Sequence, residues 1–333
     1  MHGPGAKLFN TRREGRTGFI DCRHICPPRY FRHEARVDPH ATEYPDRDRR
    51  DENSGSLEQA LETRPEDKKI VVIAGFAPWN RKIAAAIQEV GTPDFPQRIE
   101  EALKAVIDLD IVMIFAYSGT EKPICLYHNI DPVRAATVIT AYANGPYLLD
   151  PFYRAATDPK AIGVRQLRRM APDQFYSSEY FRQHYGLTKI RDEVGIVCRP
   201  AGSAAIVISF TRPMESPAFG RRDLKAIHDA EPVIRLLIER NWSNARLSSR
   251  ETDGEPVDPI NATLNRMTGG VLTPREIEIT SLILRGHSSA AIADALNIAE
   301  GTVKIHRKNI HQKLDISSQS ELFSMFIFHL SKQ

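Results

Sequence analysis

The last 63 residues carry helix starts and stops so closely spaced that few folds remain open to them. Thr273-Pro274-Arg275-Glu276 is a capping box with proline at the first helical position. The Thr273 side chain can accept from the Glu276 N–H, and Glu276 can reach back to the Thr273 N–H. The helix this opens runs to about Arg285, with Ile279, Leu282 and Ile283 inward, and Gly286 supplies a left-handed stop. Ser288 caps a second helix that buries Ile292, Ala293 and Leu296. A tight turn at Asn297-Ile298-Ala299 leads to a third, 300–314, whose inner face is Val303, Ile310 and Leu314. Its outer face carries Lys304, Arg307, Lys308 and Lys313 against Glu300 alone, a local charge of +3 beside His306 and His311. Two short helices, a tight turn and a basic third helix form a helix-turn-helix, a unit that lays its last helix in the DNA major groove. The charge must be local to matter, because the whole chain of 333 residues is only +3.

These residues closely resemble the LuxR-type helix-turn-helix family. The matches are Leu272-Thr273-x-Arg275-Glu276-x-Glu278, Gly286-x-Ser288, Ile292-Ala293-x-x-Leu296-x-Ile298, Thr302-Val303-Lys304-x-His306, Ile310 and Lys313-Leu314. The resemblance implies double-stranded DNA as partner, at a pseudo-palindromic operator bound by a homodimer, with RNA polymerase as a further contact. It implies that Thr302 and His306 bind phosphate near the helix start. Lys304, Arg307 and Lys308 would face the groove, and Lys313 would reach backbone phosphate. A fourth helix, about 318–329, would serve dimerisation through Leu322, Phe323, Phe326 and Leu330. Three positions depart from the pattern: Ala299 stands where the family has a serine N-cap, Asp315 where it has glycine, and Thr280 where leucine is common. None of them removes a DNA contact.

The rest of the chain divides by composition. Residues 1–69 hold 14 Lys/Arg and 13 Asp/Glu with few apolar residues in no period, which predicts a disordered tail. Cys22 and Cys26 lack a standard zinc spacing, so no metal or cofactor is expected. From residue 70 the pattern is regular. Helices are expected at 80–90, 96–107, 132–143, 147–156, 173–185 and 219–242, the last facing inward with Leu224, Ile227, Val233, Leu236 and Leu237. Strand pairs at 111–117 with 123–127, and at 193–198 with 204–210, are joined by turns and so form hairpins. Hairpins make an antiparallel sheet. The expected class is therefore an α+β domain of αβα layering, residues 70–245, followed by a linker, 246–270, and an all-α four-helix domain, 271–333. No apolar run is long enough for a membrane span and the N-terminus lacks a signal-peptide core, so a cytoplasmic chain is expected.

A helix-turn-helix needs an input. The order of elements lacks the βα alternation of a phospho-acceptor receiver. It suits an αβα sensor, and it partly resembles the autoinducer-binding domain of LuxR-type regulators, with GAF/PAS-like sensors sharing the general architecture. Tyr142, Tyr147 and Asp150-Pro151 carry that resemblance, with Gly186-Leu187, Gly195 and Gly202. The tryptophans of that family's pocket have no counterpart between Trp79 and Trp242. The expected effector is thus a small molecule, either an acyl-homoserine lactone or a metabolite. Eight of the ten tyrosines fall between 117 and 185, and tyrosine suits an amphipathic ligand. Candidate ligand residues are Tyr117, Tyr127, Tyr142, Tyr147, Asp150 and Tyr153, although Asp150 could equally cap the helix that starts at Pro151. A protein-binding input domain is the alternative. An enzyme is the remote one, since no nucleophile elbow, phosphate loop or metalloprotease motif is present.

Overall fold

A computed structural model of the chain describes residues 76–332, apart from 120, 202–203, 244, 246 and 248–257. The expected tail, Cys22 and Cys26 lie outside the described residues. The chain enters through α1 (Phe76–Gln88) and α2 (Phe95–Lys104), then runs β1 (Ile111–Tyr117), β2 (Ile124–His128) and α3 (Pro132–Ala143). After a 3-10 turn come α4 (Pro151–Thr157), β3 (Gly163–Gln166) and α5 (Leu167–Met170). A 3-10 turn, a π turn (Phe181–Tyr185) and the short α6 (Gly186–Thr188) lead to β4 (Ile190–Cys198), β5 (Ala205–Pro213) and α7 (Arg221–Asn241). The helical domain follows: α8 (Pro259–Thr268), α9 (Pro274–Arg285), α10 (Ser289–Leu296), α11 (Glu300–Leu314) and α12 (Gln319–Leu330).

The five strands lie in the order β2-β1-β5-β4-β3, and every pairing is antiparallel. Side chains alternate across a strand, so β1, β4 and β5 feed two cores. Ile114, Ile196, Ile206 and Ile208 face α1, α2 and α7. Phe115, Val197 and Val207 face the opposite layer, where Phe152, Tyr142 and Tyr185 pack. The α+β class expected from the hairpins is the class observed.

Four expectations need correction. Residues 147–156 do not form one helix, because Asp150 is extended (φ −74°, ψ 127°) and caps α4 by accepting from the Phe152 N–H. Residues 173–185 are not one helix: a 3-10 turn at Phe175–Ser177 breaks off before a separate helical stretch, 179–188, that contains the π turn Phe181–Tyr185. In α7 the buried face is Ile227, Ala230, Ile234, Leu237 and Ile238, while Val233 and Leu236 are exposed on its shoulder. Finally, part of the expected linker is a helix. Asp258 caps α8, Pro259 takes its first position and Gly269 closes it at φ 56°. Ile260 and Leu264 are buried, and α8 packs on α9 and α12.

The helical domain obeys its punctuation. Thr273 accepts from the Glu276 N–H, Gly286 turns at φ 92°, and Ser288 accepts from the Ala291 N–H. Asp315 adopts the left-handed conformation at φ 53° in glycine's place, and Ala299 offers no side-chain cap. Thr280 is buried and donates to the Glu276 carbonyl at 2.6 Å, so its hydroxyl is satisfied.

Candidate effector cavity and DNA-facing helix

On α11, only Val303 and Ile310 are buried. Thr302, Lys304 and Lys308 are exposed, with Lys304 in a solvated i,i+4 pair with Glu300 (2.8 Å). Between the two lysines stands Ile305, 62% exposed, which the sequence reading overlooked. A single exposed apolar residue is ordinary on a protein surface, so no signal in the sequence singled it out. His306 is half-buried. Two expected contacts are otherwise engaged. Arg307 is half-buried, which pulls its pKa down, and its guanidinium donates to Gln319 at 3.4 Å. Lys313 is paired at 2.7 Å with Glu276, itself buried. Burial opposes the Glu276 charge. The bonds from Lys313 and Thr273 outweigh it and hold the carboxyl below its usual range. Both basic groups therefore support the helical domain itself.

The expected dimerisation stripe is also spent. Leu322, Phe323, Phe326 and Leu330 are all buried within the one chain. Phe323 and Ile327 line a pocket together with Val138, Ala141, Pro146 and Tyr180 of the sheet domain. Leu330 lies over Gly145, where a Cβ would meet it at 2.8 Å and where φ is +143°. The α9–α10 turn holds the other end: Gln174 N–H donates to Gly286 O and Ser288 N–H to Asp173, both at 3.0 Å. A Cβ on Gly286 would meet the Phe175 backbone at 3.0 Å.

The sheet domain holds a small cavity between its sheet and α3, of about 30 Å³. Of the expected ligand residues, Tyr117, Tyr142 and Asp150 line it. They form a relay, with the two hydroxyls 2.7 Å apart and Tyr142 donating to Asp150 at 2.7 Å. Tyr147 and Tyr153 stand behind this relay, edge-to-face at 5.1 Å, and Tyr153 donates to the Gly119 carbonyl. Tyr127 lies on the other side of the sheet. The β1–β2 register shifts between Ile114 and Phe115, so Cys125 turns toward the cavity layer and Tyr127 toward α2, where it bonds Glu100. Cys198 is buried on β4, and burial pushes its thiol up.

The cavity adds residues the sequence reading passed over: Arg134, His184, Thr188, Glu193 and Ser209. Glu193, 6% exposed, looked like a strand boundary. In register it continues the face of Gly195 and Val197. It accepts from Tyr185 at 2.8 Å and from Ser209. Burial, reinforced by the charge of Asp150, pushes its carboxyl up to about 8. Burial also pushes Asp150 up to about 6, against the bonds from Tyr142 and the Phe152 N–H. His184 is held down to about 4 by burial and is neutral at pH 7.

Residues 270–326 match the bacterial regulatory proteins of the luxR family. The chain is 27% identical, over 186 residues, to an HTH-type transcriptional regulator named for the exeN 3′ region of Aeromonas salmonicida, covering 54% of this chain and 94% of that one. It is 28% identical over 150 residues to the nitrate/nitrite response regulator protein NarP of Escherichia coli, with 41% of this chain and 66% of that one covered. Among solved structures, the VqsR LBD domain of Pseudomonas aeruginosa aligns over 51% of this chain and 98% of its own at 19% identity and TM-score 0.44. Escherichia coli SdiA aligns over 75% and 96% at 16% identity and TM-score 0.38. The family and both regulators act in transcription rather than as enzymes. Residues 270–326 thus form a helix-turn-helix domain that matches the luxR family of bacterial regulatory proteins.

Proposed function

We propose that a small effector bound in the sheet-domain cavity controls whether this regulator pairs on DNA. The observation that carries the reading is a shared wall. Val138, His184 and Thr188 line both the cavity and the pocket beside α12. An occupant that moves them changes how well Phe323 and Ile327 dock. A ligand shifts such an equilibrium only by its differential affinity for the two arrangements. Undocked, Phe323, Ile327 and Leu330 would be free to pair with a second copy, and two α11 helices would then read a pseudo-palindromic operator. On that operator Lys304 and Lys308 would bind the groove and phosphates, with Thr302 at a phosphate and Ile305 against a thymine methyl. RNA polymerase is the further partner such a regulator would meet at a promoter.

A protein-binding input domain is the competing reading. The polar relay of Tyr117, Tyr142 and Asp150 converging on a small apolar cavity favours the small molecule. The test is a wedge. Gly145→Ala places a methyl group where Leu330 sits. The expected variant dimerises by light scattering and binds selected operator DNA more tightly without effector. A folded variant that stays monomeric, with unchanged DNA affinity, would sink the reading.

A further inference from the structure

A second concavity lies where the sheet domain meets the helical domain. It is a cleft of about 270 Å³, against about 30 Å³ for the cavity under α3. Three arginines from three elements line it: Arg154 on α4, Arg165 on β3 and Arg285 at the end of α9. Leu149, Met170 and Pro172 give its wall an apolar strip. Arg154 is exposed and Arg165 half-buried, and neither is paired with a carboxylate among the described residues. Arg165 donates to the Val164 carbonyl at 3.0 Å. Arg285 is shared between Asp258 at 2.5 Å and the Ser281 hydroxyl at 2.8 Å. The two acids on the wall are already engaged, Asp150 with Tyr142 and the Phe152 N–H, and Asp158 with the Lys160 N–H. Like charges gathered round a concavity repel one another, and the concavity concentrates their field. That field reaches His287, two residues beyond Arg285. Its Nε2 is shut from solvent with no hydrogen-bond partner among the described residues. Burial, with the charges of Arg154 and Arg285, pulls the His287 pKa down against the pull of Asp173.

We propose that this cleft binds a phosphate monoester, its phosphate held by Arg154, Arg165 and Arg285 and its organic group lying along Leu149, Met170 and Pro172. Guanidinium forks match phosphate oxygens in pairs, and a dianion offsets the repulsion among the three cations. The apolar strip gives an ester a contact that inorganic phosphate lacks. The ligand bridges the domains, because Arg154 and Arg165 belong to one and Arg285 to the other. A bridge of this kind stabilises the arrangement in which α12 is docked, and so opposes pairing. That consequence, though not the binding, rests on the undocking proposed above.

The experiment is calorimetry on the full chain at pH 7 and fixed ionic strength with three probes: phenyl phosphate, inorganic phosphate and phenol. The expected result is that phenyl phosphate binds, inorganic phosphate binds more weakly and phenol does not bind. Arg154→Gln and Arg165→Gln should each weaken the ester at least about tenfold. Asp258→Asn keeps an N-cap for α8 but releases Arg285 from its carboxylate, and should tighten the ester. Phenol binding as tight as the ester, or ester binding unchanged in both arginine variants, overturns the site. Ester affinity that fails to rise in Asp258→Asn overturns the bridge. Arginine variants that weaken operator DNA and not the ester make the cleft a DNA surface and overturn the proposal too. A Gly145→Ala variant that stays monomeric yet binds the ester as expected supports this site and sinks only the effector reading.

Discussion

Helices α11 and α12 belong to the same small domain, are of similar length and yet meet opposite fates. Apart from Val303 and Ile310, α11 leaves its side chains half or fully exposed. α12 buries Leu322, Phe323, Phe326 and Leu330, partly against the sheet domain. The surface that reads DNA is open while the surface that would pair two copies is covered. On the proposed reading, control would act on assembly, with no need to shield the helix assigned to DNA.

The strongest way to break that contrast is Phe326→Ala. Deleting a fully buried ring should cost about 3–5 kcal/mol of stability by denaturant unfolding. If α12 really joins the two domains, the sheet-domain and helical-domain signals should fall together in one shifted transition. Two separate transitions in the wild-type chain would show α12 to be a passenger.

The wall behind α12 gives the next effect, which is a pH dependence. Asp150 and Glu193 titrate at about 6 and about 8 when folded, above their ordinary values of 3.8 and 4.5. A folded protein that holds protons more tightly than its unfolded chain loses stability as pH rises. The ligand-free melting temperature should thus fall between about pH 5 and about pH 8 on account of these two groups. Glu193→Gln should flatten the upper part of that fall, and an unaltered profile would place the slope elsewhere.

On α11 the effects should be smaller and confined to DNA. Lys304→Ala and Lys308→Ala should each cost about 1–3 kcal/mol of operator affinity if they touch bases, with the melting temperature unchanged. Arg307→Ala should do the reverse, lowering stability through lost packing against Gln319 more than it lowers affinity. Equal affinity losses at all three positions would erase the distinction drawn between them. Smallest of all, Ala299→Ser should add about 1 kcal/mol of stability by capping α11.

The two domains were legible in the sequence to different depths, and the reason is the range of the forces involved. Thr273, Gly286, Ser288 and Asp315 each act on backbone within a few residues, so each could be read alone. Asp258-Pro259 and Gly269 carried the same local signals for α8, but polar neighbours disguised them as linker. In the sheet domain the hairpins were legible and the site was only half so. Tyr142 and Asp150 were singled out through the resemblance, whereas the side of the sheet Tyr127 takes is set by a register shift between β1 and β2. Glu193 becomes a pocket residue only through Tyr185 and Ser209, which come from other elements. β3, with four residues and no alternation, left no trace to read.

One oxygen of Glu276 receives the Thr273 N–H, the Thr273 hydroxyl and the Lys313 ammonium, all within 2.9 Å. It rivets the start of α9 to the end of α11. On the proposed reading, the angle at which α11 enters a groove would be set within the helical domain and would stay the same whether α12 is docked or free. An effector acting as proposed would change how many such heads arrive at an operator together, but not what each head prefers to read. The dose of the signal would be written in promoter occupancy, and the vocabulary of recognised sites would stay constant.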